Sequence, residues 1–341
     1  MNNGEAITNE IIRGTIIGKK LDEDGFNICG ALFGLFRENE TKFTEETALA
    51  TCQSNEIGIF IFENVPFGGW IVREIKAAPA FVLNEISYAV TVGADEEVIE
   101  ITIENEFITG AVKTMKVDKE YPDNKLSGAV FEVYVDVDGN GEFDPAIDLF
   151  VGEMTETEDG IYEMHDLRYN GYFLYEKTAP EGFLKDDGYH YFEIRNDGET
   201  VIVENEAGVG FVNEPLLANL KIVKSSTDGQ LKGFSFRITG PNYDAVYTTD
   251  SGGDIFVDNL RIGNYTITEI LDEASEGYLL PSPIEAELLN GETLTIKVYN
   301  EKLPQTGDDS SLFPWFVLML LSMGGLIGVF VYTQTKKRYD L

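Results

Sequence analysis

The chain has 341 residues, room for two or three ordinary domains. Lys and Arg number 25 against 60 Asp and Glu, a formal charge of −35, which repels nucleic acid and anionic lipid and so excludes nucleic-acid binding. Hydrophobic residues at 43% exclude a disordered chain, and two Cys exclude a disulfide-stapled scaffold.

Short apolar runs alternate with D-G, N-G and G-G turn signals throughout, the pattern of an all-β chain of modest strands. His165 and His190 have no neighbours at metal-ligand spacing, and no catalytic or phosphate-binding motif is present. At the start, Met1 is followed by NNGEAITNEI, which has no apolar run of the kind a signal peptide needs. The stretch AITNEIIRG resembles the later ITIENEFITG. Residues 1–12 are therefore expected to be the last strand of a preceding module, and the chain to be the C-terminal part of a longer protein.

Three repeats follow, expected at 13–107, 108–215 and 216–302. Each opens on a strand with a Lys six residues in: Lys20 in GTIIGKKLDEDG, Lys116 in GAVKTMKVDKEY and Lys224 in ANLKIVKSSTDG. A second strand comes next: GALFGLF, GAVFEVY or GFSFRI. Then comes a Glu-bearing strand: Glu74 in WIVREIKAAPAF, Glu176 in YFLYEKTAPEGF and Glu269 in YTITEILDEASEGY. Each repeat closes on Asn-Glu, at Asn105, Asn213 and Asn300. Asn105 precedes Lys116 by 11 residues, Asn213 precedes Lys224 by 11, and Asn9 precedes Lys20 by 11. The second repeat has a competing Asn205 in VIVENE. The 11-residue junction favours Asn213, whereas the Glu-to-Asn interval of 31 residues in the other two repeats favours Asn205, at 29 against 37. Asn213 is taken.

Side chains alternate between the two faces of a strand. Ile101 and Ile103 share a face with Asn105, Ile296 and Val298 with Asn300, Tyr265 and Ile267 with Glu269, Leu174 with Glu176, and Val72 with Glu74. The Glu and Asn therefore point inward. The Lys strands are less cleanly sided, since Leu220 and Ile222 share the face of Lys224 while Val223 lies opposite.

The repeat lengths and this Lys, Glu-x-x-Ala-Pro, Asn order resemble the B-type repeats of collagen adhesins and the SpaA-type pilin domains, over Arg13 to Glu301. The best matches are EKTAPEGF and VREIKAAPAF, while EILDEASEGY in the third repeat lacks the Ala-Pro pair. The resemblance implies tandem prealbumin-like, inverse immunoglobulin-like β-sandwiches. It also implies a spontaneous Lys–Asn isopeptide bond in each, with Glu as proton shuttle: Lys20–Glu74–Asn105, Lys116–Glu176–Asn213 and Lys224–Glu269–Asn300. Burial favours a neutral amine and a protonated carboxyl, the states such a reaction needs. The plainer alternative is a Lys–Glu ion pair capped by Asn; threefold recurrence in one order argues against it.

Within the second repeat, DVDGNGEFD places Asp136, Asp138, Asn140 and Asp144 at positions one, three, five and nine of a calcium loop, with Gly141 at the sixth. Ile147 stands at the twelfth, where a bidentate Glu is expected, and an acidic hairpin loop without Ca2+ explains the stretch equally well. Cys29 and Cys52 lie in one repeat, where either a single bridge or two free thiols fits.

The chain ends on Leu303-Pro304-Gln305-Thr306-Gly307, an apolar run at 312–332 long enough for one transmembrane helix, and Lys336, Lys337 and Arg338. The basic flank places the C-terminus in the cytoplasm. This tripartite segment, 303–341, resembles the cell-wall sorting signal of Gram-positive surface proteins. The resemblance implies a sortase as partner, which cuts between Thr306 and Gly307 and joins the Thr306 carboxyl to peptidoglycan. The expectation is a wall-anchored stalk, adhesin or minor pilin that is not itself an enzyme and that meets a host or bacterial surface ligand. EYPDNK has Asp123 where the usual Tyr-Pro-Lys pilin motif has its polymerising Lys, which argues against a backbone pilin. The rival is the spacer and anchor region of a surface enzyme with its catalytic domain further upstream.

Overall fold

A computed structural model describes residues 11–304. Residues 1–10 with Asn9, sorting-motif residues 305–307, the apolar run 312–332 and the basic tail 336–338 lie outside the described residues. Among the described residues every regular element is a strand, and no helix is long and apolar enough to cross a membrane.

The first module comprises β1 (Arg13–Asp22), β2 (Leu32–Arg37), β3 (Ala50–Gln53), β4 (Ile59–Pro66), β5 (Gly68–Lys76), β6 (Tyr88–Val92) and β7 (Val98–Asn105). They form two sheets, β4-β1-β7 and β3-β2-β5-β6. Inward residues of both sheets meet in one core that includes Ile16, Phe33, Phe60, Val72, Val92 and Ile103. Gly18 on β1 is required by this packing: a Cβ there would lie 1.9 Å from the Phe60 ring, which stacks on Phe33 at 3.8 Å.

The second module comprises β8 (Thr109–Asp118), β9 (Val130–Val135), β10 (Leu149–Glu153), β11 (Thr155–Glu158), β12 (Ile161–Arg168), β13 (Asn170–Thr178), β14 (Tyr189–Ile194), β15 (Thr200–Ile202) and β16 (Phe211–Asn213). One sheet is β11-β12-β8-β15, with β16 also on β8, and the other is β10-β9-β13-β14. Phe131, Val133, Leu174 and Phe211 lie in its core. Both of these modules fall in one compact unit that ends at Leu216.

The other unit holds the third module: β17 (Leu217–Ser226), β18 (Ser235–Gly240), β19 (Tyr243–Thr248), β20 (Asp254–Arg261), β21 (Gly263–Ile270), β22 (Tyr278–Leu279), β23 (Ile284–Leu288) and β24 (Thr293–Lys302). Its sheets are β20-β17-β24-β22 and β19-β18-β21-β23, around a core with Leu220, Ile222, Phe236 and Ile267.

Two devices recur in all three modules. The strand paired antiparallel to the first strand (β4, β12 or β20) carries a bulge beside a residue of positive φ: Asn64, Asp166 or Asn259. Asn and Asp tolerate that left-handed conformation, and the bulge sharpens the strand's twist. Just beyond, an aromatic side chain donates to the carbonyl four residues back: Trp70 Nε1 to Pro66, Tyr172 Oη to Arg168 and Tyr265 Oη to Arg261. This bond ties the tight β-turn to the core. It also sets the register of β5, β13 and β21, each of which carries its Glu four residues further on.

Candidate functional site

The first and last strands of each module run parallel and adjacent. Lys20 lies opposite Ile103, Lys116 opposite Phe211 and Lys224 opposite Val298. Two residues further on, Asn105, Asn213 and Asn300 stand beside Asp22, Asp118 and Ser226. Two residues advance a strand by about 6.6 Å, and the neighbouring strand is about 4.8 Å away. A Lys stem reaches that far, so its amine can meet the Asn on the same inward face.

All nine side chains are buried, with exposures of 0–1% for the three Lys, 0–6% for the Glu and 0–3% for the Asn. The less cleanly sided Lys strands thus resolve inward, because Gly14, Ile16 and Gly18 on β1, and Leu220 and Ile222 on β17, share the Lys face.

The facing sheet supplies the Glu. Asn105 Nδ2 donates to Glu74 Oε1 and Oε2 at 3.0 and 2.9 Å, and Asn213 Nδ2 to Glu176 Oε1 and Oε2 at 2.8 and 3.0 Å. Asn300 Nδ2 donates to Glu269 Oε1 at 2.6 Å. Lys116 Nζ lies 3.8 Å from Glu176 Oε1 and donates to the Phe211 carbonyl at 2.8 Å. Lys224 Nζ lies 3.7 Å from Glu269 Oε2 and 4.3 Å from the Phe234 ring centroid. Lys20 Nζ donates to the Leu21 and Ile103 carbonyls at 3.0 and 3.2 Å.

Removal from water governs the electrostatics. Burial pulls the Lys20 and Lys116 amines down to about 8, against the opposing pull of Glu74, Glu104 and Asp22 on the first and of Glu176, Asp186 and Asp118 on the second. Lys224 is lowered by the same cause. Burial also pushes Glu176 and Glu269 above the usual carboxyl range. Both shifts favour a neutral amine beside a neutral acid.

Each site leaves its Asn oxygen unsatisfied: Oδ1 of Asn105, Asn213 and Asn300 has no hydrogen-bond partner. Turning the amide over exchanges its O and N at constant shape. The carbonyl then faces the Glu, and a protonated carboxyl donates to it. An amide polarised in this way, with a neutral amine beside it, is set up for attack at Cγ.

A chain that keeps Lys116 free makes the burial shift measurable. In Asn213→Ala the amine still titrates near 8 when folded, against 10.5 when unfolded. Between those values the unfolded chain binds more protons, so stability rises with pH across the window. The penalty is fully present below 8 and gone above 10.5. Urea midpoints for the second module at pH 7 and pH 10 should differ in that sense; a flat profile would show that the amine is solvated.

The structure separates the two asparagines of the second module. Asn213 sits against Glu176, whereas Asn205 Nδ2 donates to Asp186 Oδ2 at 2.7 Å and its Oδ1 accepts from Val212 N–H at 2.7 Å. β15 ends at Ile202, and the chain loops out before β16 returns to β8. That excursion accounts for the Glu-to-Asn interval of 37 residues rather than 31. Asn205 instead ties the loop to Asp186, whose backbone N–H donates to Glu176 Oε2 at 2.8 Å. The sequence reading missed Asp186 and its counterpart Asn84; each lies ten residues past its Glu, and that constant offset was the available signal.

In the acidic loop, oxygens of Asp136, Asp138 and Asp148 come within 4.8 Å of one another. Asn140 and Asp144 serve the loop itself: Asn140 Oδ1 accepts from Glu142 N–H at 2.6 Å and Asp144 Oδ1 from Ala146 N–H at 2.8 Å. The amides of Gly139 and Gly141 occupy the oxygens of Asp136, and those of Val137 and Asp144 occupy Asp148. Cys29 and Cys52 are free thiols.

Three stretches, residues 14–107, 110–207 and 218–302, match the SpaA family, described as a prealbumin-like fold domain. The second match stops between Asn205 and Asn213, but β16 carries the strand pairing on to Asn213. Among solved structures, the Bacillus anthracis TIE protein is 24% identical with a TM-score of 0.68, over 85% of this chain and 51% of that one. The chain thus spans about half the length of that relative. The major pilin subunit of Bacillus cereus is 14% identical with a TM-score of 0.41, over 85% of this chain and 99% of that one. No curated protein matches the chain.

Proposed function

The chain belongs to the SpaA family of prealbumin-like domains, and on that premise we propose that it is a wall-anchored surface stalk or minor pilin of a Gram-positive bacterium, stiffened by Lys–Asn isopeptide bonds. One observation carries this: in each module the parallel first and last strands meet at a buried Lys, Glu and Asn.

The chemistry balances within each site. The neutral Lys Nζ attacks Asn Cγ while the protonated Glu donates to Oδ1. Glu then takes a proton from the attacking nitrogen, delivers one to the departing NH2, and recovers the proton on Oδ1 as the new amide carbonyl re-forms. One C–N bond forms, one breaks, ammonia leaves, and Glu regains its starting state. Fixed proximity lowers the barrier by about 7–11 kcal/mol relative to free reactants, so no cofactor is needed. The three bonds are Lys20–Asn105, Lys116–Asn213 and Lys224–Asn300.

Leu303 to Gly307, the apolar run and the basic tail supply the anchor. The membrane holds the precursor, a sortase cuts after Thr306, and the new carboxyl is joined to peptidoglycan. The modules then present a surface ligand site at a distance from the wall. Thr306→Ala, or loss of Lys336 to Arg338, is expected to move the protein from the wall fraction to the membrane or the medium. Normal wall linkage of both variants would sink the anchoring part of the proposal.

A further inference from the structure

The reacting Asn and its Glu stand on different sheets, and the hydrogen bonds between them do not outlast the reaction, because the amide turns over and its nitrogen leaves. Bonds that spare the amide must therefore keep the two side chains together. The need is greatest where the Asn strand is a sheet edge, with one side of its main chain unpaired. β7 is such an edge in the order β4-β1-β7, and β16 pairs with β8 on one side. β24 differs, since β17 and β22 flank it.

In the first module Asn84 spans the gap. Its backbone N–H donates to Glu74 Oε2 at 2.8 Å, and its side-chain Nδ2 donates at 2.8 Å to the carbonyl of Glu104, the residue before Asn105. Its Oδ1 accepts from Ile86 N–H at 2.9 Å, which fixes the direction of the amide. One residue thus holds the Glu with its main chain and the Asn strand with its side chain.

Asp186 takes that place in the second module, and its N–H donates to Glu176 Oε2 at 2.8 Å. A carboxylate has no hydrogen to give a carbonyl. Asn205 supplies it. Its Nδ2 donates to Asp186 Oδ2 at 2.7 Å and, at 3.0 Å, to the carbonyl of Val212, the residue before Asn213. Its Oδ1 accepts from Val212 N–H at 2.7 Å. Both modules therefore make the same connection, from the Glu to the residue before the reacting Asn, directly in one and through an intervening amide in the other. In the third module Leu279, ten residues past Glu269, pairs with Glu301 as part of β22 on β24, so main-chain pairing secures the strand.

We propose that Asn84 and Asn205 are positioning residues of the crosslinking reaction: each locks the strand that carries the reacting Asn to the loop that holds the Glu, through bonds the reaction leaves intact. This rests on the isopeptide reading above.

The full chain is translated in vitro into detergent micelles, quenched in acid at intervals and digested. The ratio of branched to linear peptide is then followed for each module by mass spectrometry. Misplacing a reacting group by ~1 Å costs on the order of 100-fold in rate. Asn84→Ala should slow the Lys20–Asn105 branch, and Asn205→Ala the Lys116–Asn213 branch, by at least about tenfold. The same residues are joined in the end, and the other two modules keep the parent rate. Asn84→Asp keeps an acceptor for Ile86 N–H but has no donor for Glu104, and should be as slow as Asn84→Ala. Asn84→Gln keeps the amide and should recover part of the rate. Val90→Ala, in the core of the first module, lowers stability away from the site and should leave the branch at the parent rate. The Asn205→Ala arm lies in a separate module, so a misfolded Asn84 variant leaves the test intact. Parent rates in both Ala variants, a slowing that Val90→Ala reproduces, or Asn84→Gln no faster than Asn84→Ala overturns the inference while the isopeptide reading stands. Absence of branched peptide from every module of the parent chain overturns both.

Discussion

Purified, folded protein is expected to weigh less than its sequence mass by three molecules of ammonia, one for each Lys–Asn bond. Lys116→Ala should restore one ammonia and leave the other two losses in place. Glu176→Ala should restore the same one while keeping the lysine, because without a neutral carboxyl the amide is unpolarised and the proton has no relay. Digestion should release a branched peptide joining Lys116 to Asn213, since Asn213 is the residue that donates to Glu176 at 2.8 Å. Asn205→Ala should leave that branch intact, as its amide serves Asp186 and Val212. An intact mass equal to the full sequence mass, in folded protein, would refute the isopeptide proposal and leave three buried polar clusters.

Pulled from its two ends, the chain is expected to resist unfolding of all three modules. Force enters each module on its first strand and leaves on its last, and the proposed bond joins those strands directly. The loops bypassed run from Lys20 to Asn105, Lys116 to Asn213 and Lys224 to Asn300: 85, 97 and 76 residues. At ~3.4 Å per extended residue, release of the second loop would add roughly 330 Å of contour. Single-molecule stretching should show no such step in the parent chain and one in Lys116→Ala. The same variant should lose up to ~4.7 kcal/mol of stability through the unfolded state, a drop on the order of 20 °C in the midpoint of the second module. Equal step patterns in the two chains would show that the strands are held by hydrogen bonds alone.

The family fold was legible because its signals are local and repeated. Strand alternation placed Glu74, Asn105, Glu269 and Asn300 on inward faces, and the structure buries all four. The Lys strands were harder to read. Both faces of β8 are largely covered, so Val112, Thr114 and Val117 are all buried and hydropathy does not pick a side. The 11-residue junction singled out Asn213, whereas the Glu-to-Asn interval misled because a loop between β15 and β16 had lengthened it. In the acidic loop, spacing picked out Asp136, Asp138, Asn140 and Asp144, and the structure brings oxygens of Asp136, Asp138 and Asp148 within 4.8 Å of one another, a grouping that depends on how the loop folds back.

Residue pattern by itself determined the number of repeats, their all-β character and the order Lys, Glu, Asn, because these follow from side-chain alternation and turn chemistry within short windows. Tertiary structure decided the rest. The parallel pairing of first and last strands is a contact across 83 residues in the first module, from Lys20 Nζ to the Ile103 carbonyl. It brings the amine to the amide, and no local window contains both. The backbone donor to Glu likewise comes from a loop whose path depends on what it packs against, reaching Oε2 of Glu74 and Glu176, whereas Oε2 of Glu269 faces Lys224 Nζ at 3.7 Å. Burial of all three groups together, which removes water and shifts their protons, is a property of the closed sandwich rather than of any strand within it.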